Sequence, residues 1–353
     1  MIEESNAVLE ISKKNIINNY FFFKKIINKN ICGVTIKANA YGLGANIIYK
    51  LLYQNGCRHF FVATTKEGLE LREKFKKGSI YILNGLELNN YKIFEKLNLI
   101  PILSNLNDYL LIKNKSLKFG VQINTGINRL GINYEDYKKI NFNDQNLVIL
   151  LSHLASADER INIFNKIQLS KFNNLKKKSQ NNKIIFSLSN SFGSVLSNKY
   201  LFEMIRPGIS IYGGHFNNSK LKKNIKPIVK LKAKILQIKK IEKNEYIGYN
   251  QTFKTKKKTW IAIIGIGYAD GLKRMLSNKG KVFYNNKKFN IIGRVSMDSI
   301  VIDITKSKSD FKLGCYVEII NKKYGIDYLA KSCGTISHEI LTSLTKRVER
   351  KFV

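Results

Sequence analysis

The sequence is poor in several residue types, and each shortage excludes a class of protein. Its 353 residues include only four cysteines, three prolines and one tryptophan. The cysteines form neither a C-x-x-C pair nor a metal-ligand spacing, so we expect no metal site and a reducing, cytoplasmic setting. No apolar run approaches the ~20 residues that a membrane helix needs. The N-terminal Met-Ile-Glu-Glu-Ser lacks the basic and apolar regions of a signal peptide, so we expect no secretion.

Acidic residues are scarce as well. Only 25 acidic residues oppose 61 lysines and arginines, which gives a formal charge of +36. Such a charge fits either a polyanion partner or a solvated basic surface. The lysine runs at 176–178 and 256–258 do not alternate with aromatic residues, as a base-stacking surface requires. Abundant Ile and Asn are typical of a low-GC coding sequence, so we interpret the charge as a solvated surface and expect no nucleic-acid partner.

The first part of the chain repeats a pattern of short apolar runs followed by helical stretches. Candidate strands occupy residues 34–37, 60–63, 80–83, 99–103, 119–123, 148–151, 184–188 and 204–211. Helical periodicity is found at residues 46–53, 66–75, 105–111 and 161–177. This alternation favours an α/β fold with a parallel sheet, and eight units favour a (β/α)8 TIM barrel. A doubly wound open sheet is the alternative, and the number of strands separates the two folds.

The pattern changes to mostly β after Pro227. Strands are predicted at residues 229–239, 260–266, 281–284, 289–292, 300–304 and 316–320. Turn residues separate them, and helical periodicity is nearly absent before residues 328–331. We therefore predict a barrel domain over residues 1–225 and a mostly-β C-terminal domain over 226–353. A lone extended run at 7–11 suggests that residues 1–11 pair with the second domain.

Reactive groups of a (β/α)8 barrel lie at the carboxyl ends of its strands. The polar residues at these ends are Lys37, Arg129, His153, Asn190, Ser191 and Arg206. Lys37 leaves an apolar strand, where partial desolvation lowers the pKa of an amine and makes it nucleophilic. An ordinary strand-end lysine in a lysine-rich chain is the other interpretation that position alone allows.

Successive segments of the chain resemble motifs of the alanine racemase family. In chain order they are Lys37-Ala38-Asn39-Ala40-Tyr41-Gly42-Leu43-Gly44, Asn124-Thr125-Gly126-Ile127-Asn128-Arg129-Leu130-Gly131, Ser152-His153-Leu154-Ala155-Ser156-Ala157-Asp158, Asn190-Ser191, Arg206-Pro207-Gly208-Ile209-Ser210-Ile211-Tyr212-Gly213, Gly248-Tyr249 with Thr252-Phe253, Gly267-Tyr268-Ala269-Asp270-Gly271 and Gly293-Arg294-Val295-Ser296-Met297-Asp298. Each motif alone is weak evidence, whereas their common order from residue 7 to residue 350 is specific.

This resemblance implies a pyridoxal 5′-phosphate enzyme in which Lys37 holds the cofactor as a Schiff base. Arg206 would face the pyridine nitrogen and keep it unprotonated, because a guanidinium group only donates hydrogen bonds. His153 would lie beside the ring in contact with Arg206, and Arg129 would bond the phenolic oxygen and the substrate. The residues that the resemblance assigns to the phosphate are Tyr41, Ser191, Gly208, Ile209 and His338.

The resemblance further implies racemisation by two bases, one on each face of the substrate. Lys37 would serve one face, and Tyr249 from the partner subunit of a head-to-tail homodimer would serve the other. Tyr268, Met297 and Asp298 would shape the substrate entrance and the carboxylate site. The expected reaction is the interconversion of L- and D-alanine, supplying D-alanine for peptidoglycan. A serine or broad-specificity racemase is one alternative, and a non-catalytic pyridoxal-phosphate carrier is another, which the second domain with Tyr249 disfavours.

Three positions depart from the family pattern. Gln122 stands where the family often has a carbamylated lysine, and its amide oxygen can still accept a hydrogen bond from Arg129. Asn124 replaces an aspartate, and His338 replaces a tyrosine that contacts the phosphate. His338-Glu339 also begins a zinc motif, but Thr342 leaves H-E-x-x-H incomplete. We expect these changes to affect rate and specificity more than fold.

Overall fold

The computed structural model describes residues 5–86, 91–179, 183–216 and 218–353. The chain divides into two compact units. The barrel unit comprises Ile17–Ile211 and Asn217–Ile225. The β unit comprises Met1–Ile16, Tyr212–Phe216 and Lys226–Val353. The main division therefore falls at Lys226, although two shorter stretches from the first 225 residues belong to the β unit.

The barrel unit contains eight parallel strand positions, the first of which is interrupted at Gly33. In chain order the strands are Ile31–Cys32 with Val34–Thr35, His59–Val62, Ser79–Ile82, Leu99–Leu103, Phe119–Asn124, Leu147–Leu151, Ile185–Ser187 and Met204–Ile205. Each of the first six strands pairs in parallel with the next, and the eighth pairs in parallel with the first. A short segment, Ile132–Asn133, adds to the fifth strand.

Hydrogen bonds close the circle between the first, seventh and eighth strands. The N–H groups of Ile31, Gly33 and Thr35 donate to the carbonyls of Glu203, Ile205 and Pro207 at 2.8, 3.0 and 3.0 Å. The N–H of Arg206 donates to the carbonyl of Ser189 at 2.9 Å, beside the seventh strand. The strands therefore form a closed (β/α)8 barrel, and the doubly wound alternative is wrong. Apolar side chains fill its interior: Phe61, Tyr81, Ile100, Ile102, Ile149, Leu151 and Met204.

Helices follow most barrel strands. The α-helices of this part of the chain are Lys13–Ile27, Ala45–Gln54, Thr65–Lys74, Tyr91–Lys96, Leu106–Ile112, Ile163–Lys178 and Ser219–Asn224, with 3-10 turns at Tyr134–Lys139, Gly193–Val195 and Asn198–Tyr200. The four predicted helices are confirmed to within two residues at their ends. The strand predictions for 34–37 and 204–211 are too long, because a left-handed turn begins after Lys37 and Pro207-Gly208 interrupts the second run.

The β unit is built on a mixed sheet. Its strands are Ala7–Ile11, Val229–Ile241, Thr259–Ile264, Lys281–Tyr284, Lys287–Ile292, Ile300–Asp303, Tyr316–Ile320 and Glu349–Phe352, with a separate ribbon of Tyr246–Ile247 and Phe253–Lys254. Ala7–Ile11 pairs antiparallel with Val229–Ile241 and parallel with Glu349–Phe352. Residues 1–4 of the predicted 1–11 pairing segment lie outside the described residues.

Short helices complete the β unit. They are the α-helices Ile326–Ser332 and Ser337–Ser343 and the 3-10 turns Tyr249–Gln251, Tyr268–Asp270, Arg274–Leu276 and Thr305–Asp310. All six strands predicted after Pro227 are present, whereas the helix Ser337–Ser343 and the strand Glu349–Phe352 were not predicted. In the described part of the chain, no helix combines the length and apolarity that a membrane crossing requires.

Candidate active site

Lys37 opens a left-handed turn at the carboxyl end of the first barrel strand. From Ala38 to Tyr41 the backbone φ lies between 52° and 56°. Left-handed helical backbone costs an L-residue about 1–2 kcal/mol. Four consecutive non-glycine residues in this region form a strained segment, which persists only where the surroundings hold it.

Several hydrogen bonds hold this turn. The N–H of Ala40 donates to the carbonyl of Ile36 at 2.8 Å. The side-chain Oδ1 of Asn39 accepts from the N–H of Ala45 at 2.8 Å. The N–H of Ala38 donates to Oε1 of Glu67, on the helix Thr65–Lys74, at 2.6 Å. Glu67 was not predicted, although the Thr64-x-x-Glu67 spacing is the signal of a capping box.

The Lys37 amine lies in a partly desolvated position. Burial lowers its pKa from the ordinary lysine value, and the nearby positive charge of Arg129 lowers it further, whereas Glu67 raises it. A lower pKa increases the fraction of neutral amine, which is the form that attacks an aldehyde carbon. The direction of this shift is the one that a nucleophilic lysine requires, and the role of Lys37 stays a prediction.

A cradle for an anionic group lies after the seventh and eighth barrel strands. Ser191 is buried, and its Oγ accepts from the N–H groups of Gly208 at 3.0 Å and Ser210 at 3.3 Å. A Cβ on Gly208 would lie 2.3 Å from the hydroxyl oxygen of Tyr41. Glycine therefore lets the Tyr41 hydroxyl come close to this backbone. The Ser191 and Tyr41 hydroxyls thus lie against the backbone at Gly208, after the seventh and eighth strands, where TIM barrels commonly bind phosphate, so this cradle fits the phosphate of pyridoxal 5′-phosphate.

Arg206 is held in the barrel by two strand ends. Its Nη1 donates to the carbonyl of Ser187 at 2.8 Å, and its Nη2 donates to the carbonyl of Ser152 at 2.7 Å. Burial lowers the pKa of Arg206 to about 9, which still leaves it charged at neutral pH. A buried, fixed cation is the group that the resemblance places at the pyridine nitrogen.

His153 follows Ser152 and is half-buried. Its carbonyl accepts from Nε2 of Gln168 at 2.9 Å, and the same amide nitrogen donates to Oγ1 of Thr125 at 3.0 Å. Gln168 thus ties the loop after the sixth strand to the loop that leads to Arg129. No sequence signal identified Gln168, since its partners are distant in the chain. The proposed contact between His153 and Arg206 stays a prediction.

The loop before Arg129 is organised by two of the departures from the family pattern. Oδ1 of Asn124 accepts from the N–H groups of Gly126 and Asn128 at 3.0 and 3.1 Å, as an aspartate oxygen would. Nε2 of buried Gln122 donates to the carbonyl of Leu130 at 2.6 Å. Gln122 therefore holds the residue next to Arg129 through its backbone, and the predicted bond from Arg129 to Gln122 stays a prediction.

The remaining candidate residues belong to the β unit. Tyr249, Tyr268 and Met297 expose 67%, 43% and 52% of their surface, so their side chains are accessible on this unit. The N–H of Tyr268 donates to the carbonyl of Ser296 at 3.0 Å. This bond joins the motif at residues 267–271 to the motif at residues 293–298. His338 is half-buried at the start of the helix Ser337–Ser343.

Arg347 connects these motifs and was not predicted. Its Nη2 lies 2.7 Å from Oδ1 of Asp298, and its Nε lies 3.1 Å from Oδ1 of buried Asp270. Oδ2 of Asp270 also accepts from the N–H of Gly267 at 2.8 Å. Asp298 is thus an ion-pair partner within its own unit. Among the described residues, no group of His, Cys, Asp and Glu side chains is arranged to hold a metal ion.

Comparisons with known proteins agree along the whole chain. Models described as "Alanine racemase, N-terminal domain" and "Alanine racemase, C-terminal domain" match residues 11–215 and 228–352. The alanine racemase of Rickettsia canadensis is 40% identical over 361 aligned positions, and that of Rickettsia africae is 38% identical over 363, each alignment covering 99% of both chains.

Solved structures extend this similarity to three dimensions. Alanine racemase from Bartonella henselae, with covalently bound pyridoxal phosphate, has a TM-score of 0.92 and 34% identity, covering 99% of this chain and 100% of that one. Alanine racemase from Acinetobacter baumannii has a TM-score of 0.88 and 28% identity, with the same coverage. Since both domain models and full-length relatives match, the chain belongs to the alanine racemase family.

Proposed function

We propose that this protein interconverts L-alanine and D-alanine with pyridoxal 5′-phosphate held on Lys37. One observation carries the proposal: a lysine of lowered pKa opens a strained turn at the barrel mouth, and the same turn supplies Tyr41 to the anion cradle of Gly208 and Ser191. When bound, the cofactor supplies an electron sink that acidifies the Cα–H bond of an amino acid. Membership of the family supports alanine as the substrate.

The barrel residues bind and orient the cofactor in this proposal. Ser191, Tyr41 and the N–H groups of Gly208 and Ile209 bind the phosphate. Arg206 keeps a positive charge at the ring nitrogen, which restrains proton transfer to that atom. Its hydrogen bonds to the carbonyls of Ser187 and Ser152 hold the guanidinium group in this position. His153 lies against the ring, and Arg129 binds the phenolic oxygen and the substrate carboxylate.

Two groups move the Cα proton. The Nζ atom of Lys37 takes or returns it on one face, and the hydroxyl of Tyr249 does so on the other. We propose that Tyr249 comes from a second copy of the chain, so that a homodimer shares its active sites. Tyr268, Met297 and Asp298 of that copy then line the substrate entrance, and His338 donates a hydrogen bond to the phosphate. The exposure of Tyr249, Tyr268 and Met297 on the β unit supports this arrangement.

The physiological role follows from the product. D-alanine is a building block of peptidoglycan. The proposed enzyme makes this D-alanine in the cytoplasm, where L-alanine and pyridoxal phosphate are both present. The chemistry is reversible, so the direction of flux depends on the consumption of D-alanine.

Incubation with L-alanine in deuterated water tests the activity directly. The expected result is incorporation of deuterium at Cα together with formation of D-alanine. L-serine, added in a parallel reaction, tests the broader-specificity alternative by the ratio of kcat/KM values. Cofactor binding without any Cα exchange would instead support the non-catalytic carrier.

Replacing Gly208 with alanine tests the cradle. The new Cβ would lie 2.3 Å from the Tyr41 hydroxyl and must displace it. Since a hydrogen bond to a charged group contributes about 1.5–3 kcal/mol, we expect cofactor affinity to fall tenfold or more. Absorbance titration of the apoprotein with pyridoxal phosphate measures the change. Gly325→Ala is the matched control, because nothing lies within 4 Å of a Cβ there; equal affinity of the two variants would contradict the cradle.

Because Gln122 stands where the family often has a carbamylated lysine, we expect an enzyme that works without one. The amide already satisfies the carbonyl of Leu130, and glutamine cannot react with carbon dioxide. We expect kcat/KM to be the same in carbonate-free buffer and in bicarbonate. A rise in activity with bicarbonate would mean that another lysine is carbamylated and that this interpretation of the site is wrong.

A further inference from the structure

Glu67 connects the Lys37 turn to the end of the neighbouring barrel strand. Its Oε1 accepts from the N–H of Ala38 at 2.6 Å. Its Oε2 accepts from the N–H of Ala63, directly after the second barrel strand, at 2.7 Å, with a longer bond of 3.4 Å from Thr64. One carboxylate therefore joins the residue that follows Lys37 to the end of the neighbouring strand.

The geometry of Glu67 is itself fixed. Its own N–H donates to Oγ1 of Thr64 at 3.3 Å, which completes a reciprocal capping box at the start of the helix Thr65–Lys74. A capping box needs only one carboxylate oxygen. The second oxygen is thus available for Ala38, 29 residues earlier in the chain.

The position of this bond matters because of the backbone that it holds. Ala38 is the first of the four left-handed residues, and its side chain is a methyl group that cannot hydrogen-bond to its own backbone. Non-glycine residues remain in left-handed conformation only where their surroundings impose it. An anionic acceptor on the Ala38 N–H is a stronger anchor than a neutral one.

We propose that Glu67 is a positioning residue for the cofactor lysine: its carboxylate clamps the strained turn to the second barrel strand and so fixes the backbone from which Lys37 extends. This inference rests on the proposed role of Lys37. Glu67 acts through the backbone of Ala38 and through its charge. The two effects can be separated. The clamp requires both carboxylate oxygens, whereas the effect on the pKa of Lys37 requires only the negative charge.

The charged groups that act on the Lys37 amine are Arg129, which lowers its pKa, and Glu67, which raises it. Neutralising Glu67 removes the raising contribution, so the pKa of Lys37 should fall further. At a pH below the pKa of Lys37, the neutral and reactive fraction of its amine should then increase. A purely structural role of Glu67 would not produce this change.

Three substitutions separate the clamp, the charge and the helix cap. Glu67→Gln keeps an oxygen for the cap but places an NH2 group against the other N–H donor, so it removes both clamp and charge. Glu67→Asp keeps the charge but lacks the reach for both anchors. Thr64→Ala removes the partner of the Glu67 N–H and leaves the carboxylate intact. Glu70→Gln, exposed on the same helix, is the matched charge control.

Two measurements on the folded apoprotein report the outcome. Hydrogen exchange, followed by mass spectrometry on peptides that contain Ala38, should accelerate about tenfold or more in Glu67→Gln and Glu67→Asp, as expected for loss of a charge-assisted hydrogen bond. It should stay near wild type in Thr64→Ala and Glu70→Gln. Trace acetylation of Lys37 at a pH below its pKa should increase in Glu67→Gln only, by about threefold for a fall of about half a pKa unit, because Glu67 raises the pKa of Lys37 and is the smallest of the three contributions.

Unchanged Ala38 exchange in both Glu67 variants would overturn the clamp. Equal acceleration in Thr64→Ala would also overturn it, because the effect would then belong to the helix cap. If Glu67→Gln does not fold, Glu67→Asp against Thr64→Ala decides the same question. Borohydride mapping of wild-type holoenzyme is run in parallel: a pyridoxyl label on another lysine refutes the proposed function, whereas a label on Lys37 with unaltered exchange refutes only the clamp.

Discussion

Replacing Lys37 with alanine is expected to eliminate both racemisation and the covalent attachment of pyridoxal phosphate. Lys37 is assigned two tasks, holding the cofactor and moving a proton at Cα. A positioned acid–base group alone contributes about 10²–10⁴ in rate, so loss of both tasks should reduce kcat/KM by more than about 10⁴-fold. The measurement combines the alanine exchange assay with borohydride reduction and peptide mapping, which should place the pyridoxyl group on Lys37 in the wild-type protein.

The Lys37→Ala variant should remain folded. The amine is only partly buried and its charged form is disfavoured there, so its removal should change the free energy of unfolding by no more than about 1 kcal/mol. Lys50→Ala, exposed on the following helix, is the control and should keep full activity. A pyridoxyl label on any lysine other than Lys37, or retained activity in Lys37→Ala, would refute the assignment.

The barrel could be predicted because its strands are short apolar runs bounded by turn residues and helices. That information is local, so each strand was found close to its observed position. The strand Glu349–Phe352 was missed because its composition differs from that of the apolar strands. Glu349–Phe352 reads Glu-Arg-Lys-Phe, and its pairing with Ala7–Ile11 joins opposite ends of the chain, so no local pattern marks it.

The conformation around Lys37 could not be predicted for a related reason. Ala38, Asn39, Ala40 and Tyr41 include no glycine, and their propensities do not favour left-handed backbone. The first N–H of the turn, that of Ala38, donates to Glu67, which lies 29 residues further along the chain. The motif was enough to propose Lys37 as the cofactor lysine, whereas the backbone geometry around it depends on tertiary contacts.

The same distinction applies to the polar networks. Ser191 and Gly208 were proposed together and are joined by a hydrogen bond. Arg347 was not proposed, although it binds Asp298 and Asp270, because it lies outside the motifs that the resemblance identified. The residues proposed to contact a ligand belong to motifs of the family, whereas Arg347 was found only from its distances to Asp298 and Asp270.

Replacing Tyr249 with phenylalanine should reduce racemisation by about 10²–10⁴, the contribution of a positioned acid–base group. The substitution removes the hydroxyl and keeps the ring, and 67% of the residue is exposed, so packing should hardly change. The loss should differ between the two faces. Exchange of the Cα proton of L-alanine should fall by this factor, whereas exchange with D-alanine, which depends on Lys37, should be less affected. Isotope exchange from each enantiomer, measured separately, reports the asymmetry.

Tyr246→Phe is the matched control, because Tyr246 is 55% exposed in the same ribbon region and has no assigned role. It should retain wild-type exchange on both faces. If Tyr249→Phe behaves in the same way, the two-base assignment fails here and Tyr268 becomes the next candidate.

Subunit mixing then decides where Tyr249 comes from. Lys37→Ala and Tyr249→Phe are each expected to be inactive as homodimers. If a site takes Lys37 from one chain and Tyr249 from the other, a heterodimer of the two variants contains one site with both bases intact and one site with neither. Activity should therefore return to about half of the wild-type value per heterodimer after subunit exchange. If each site instead took both bases from a single chain, every site in the mixture would lack one base and no activity would return. An inactive mixture in which heterodimers are demonstrated by mass spectrometry would thus refute the shared site, while leaving the chemical role of Tyr249 to the exchange measurements on the single variant.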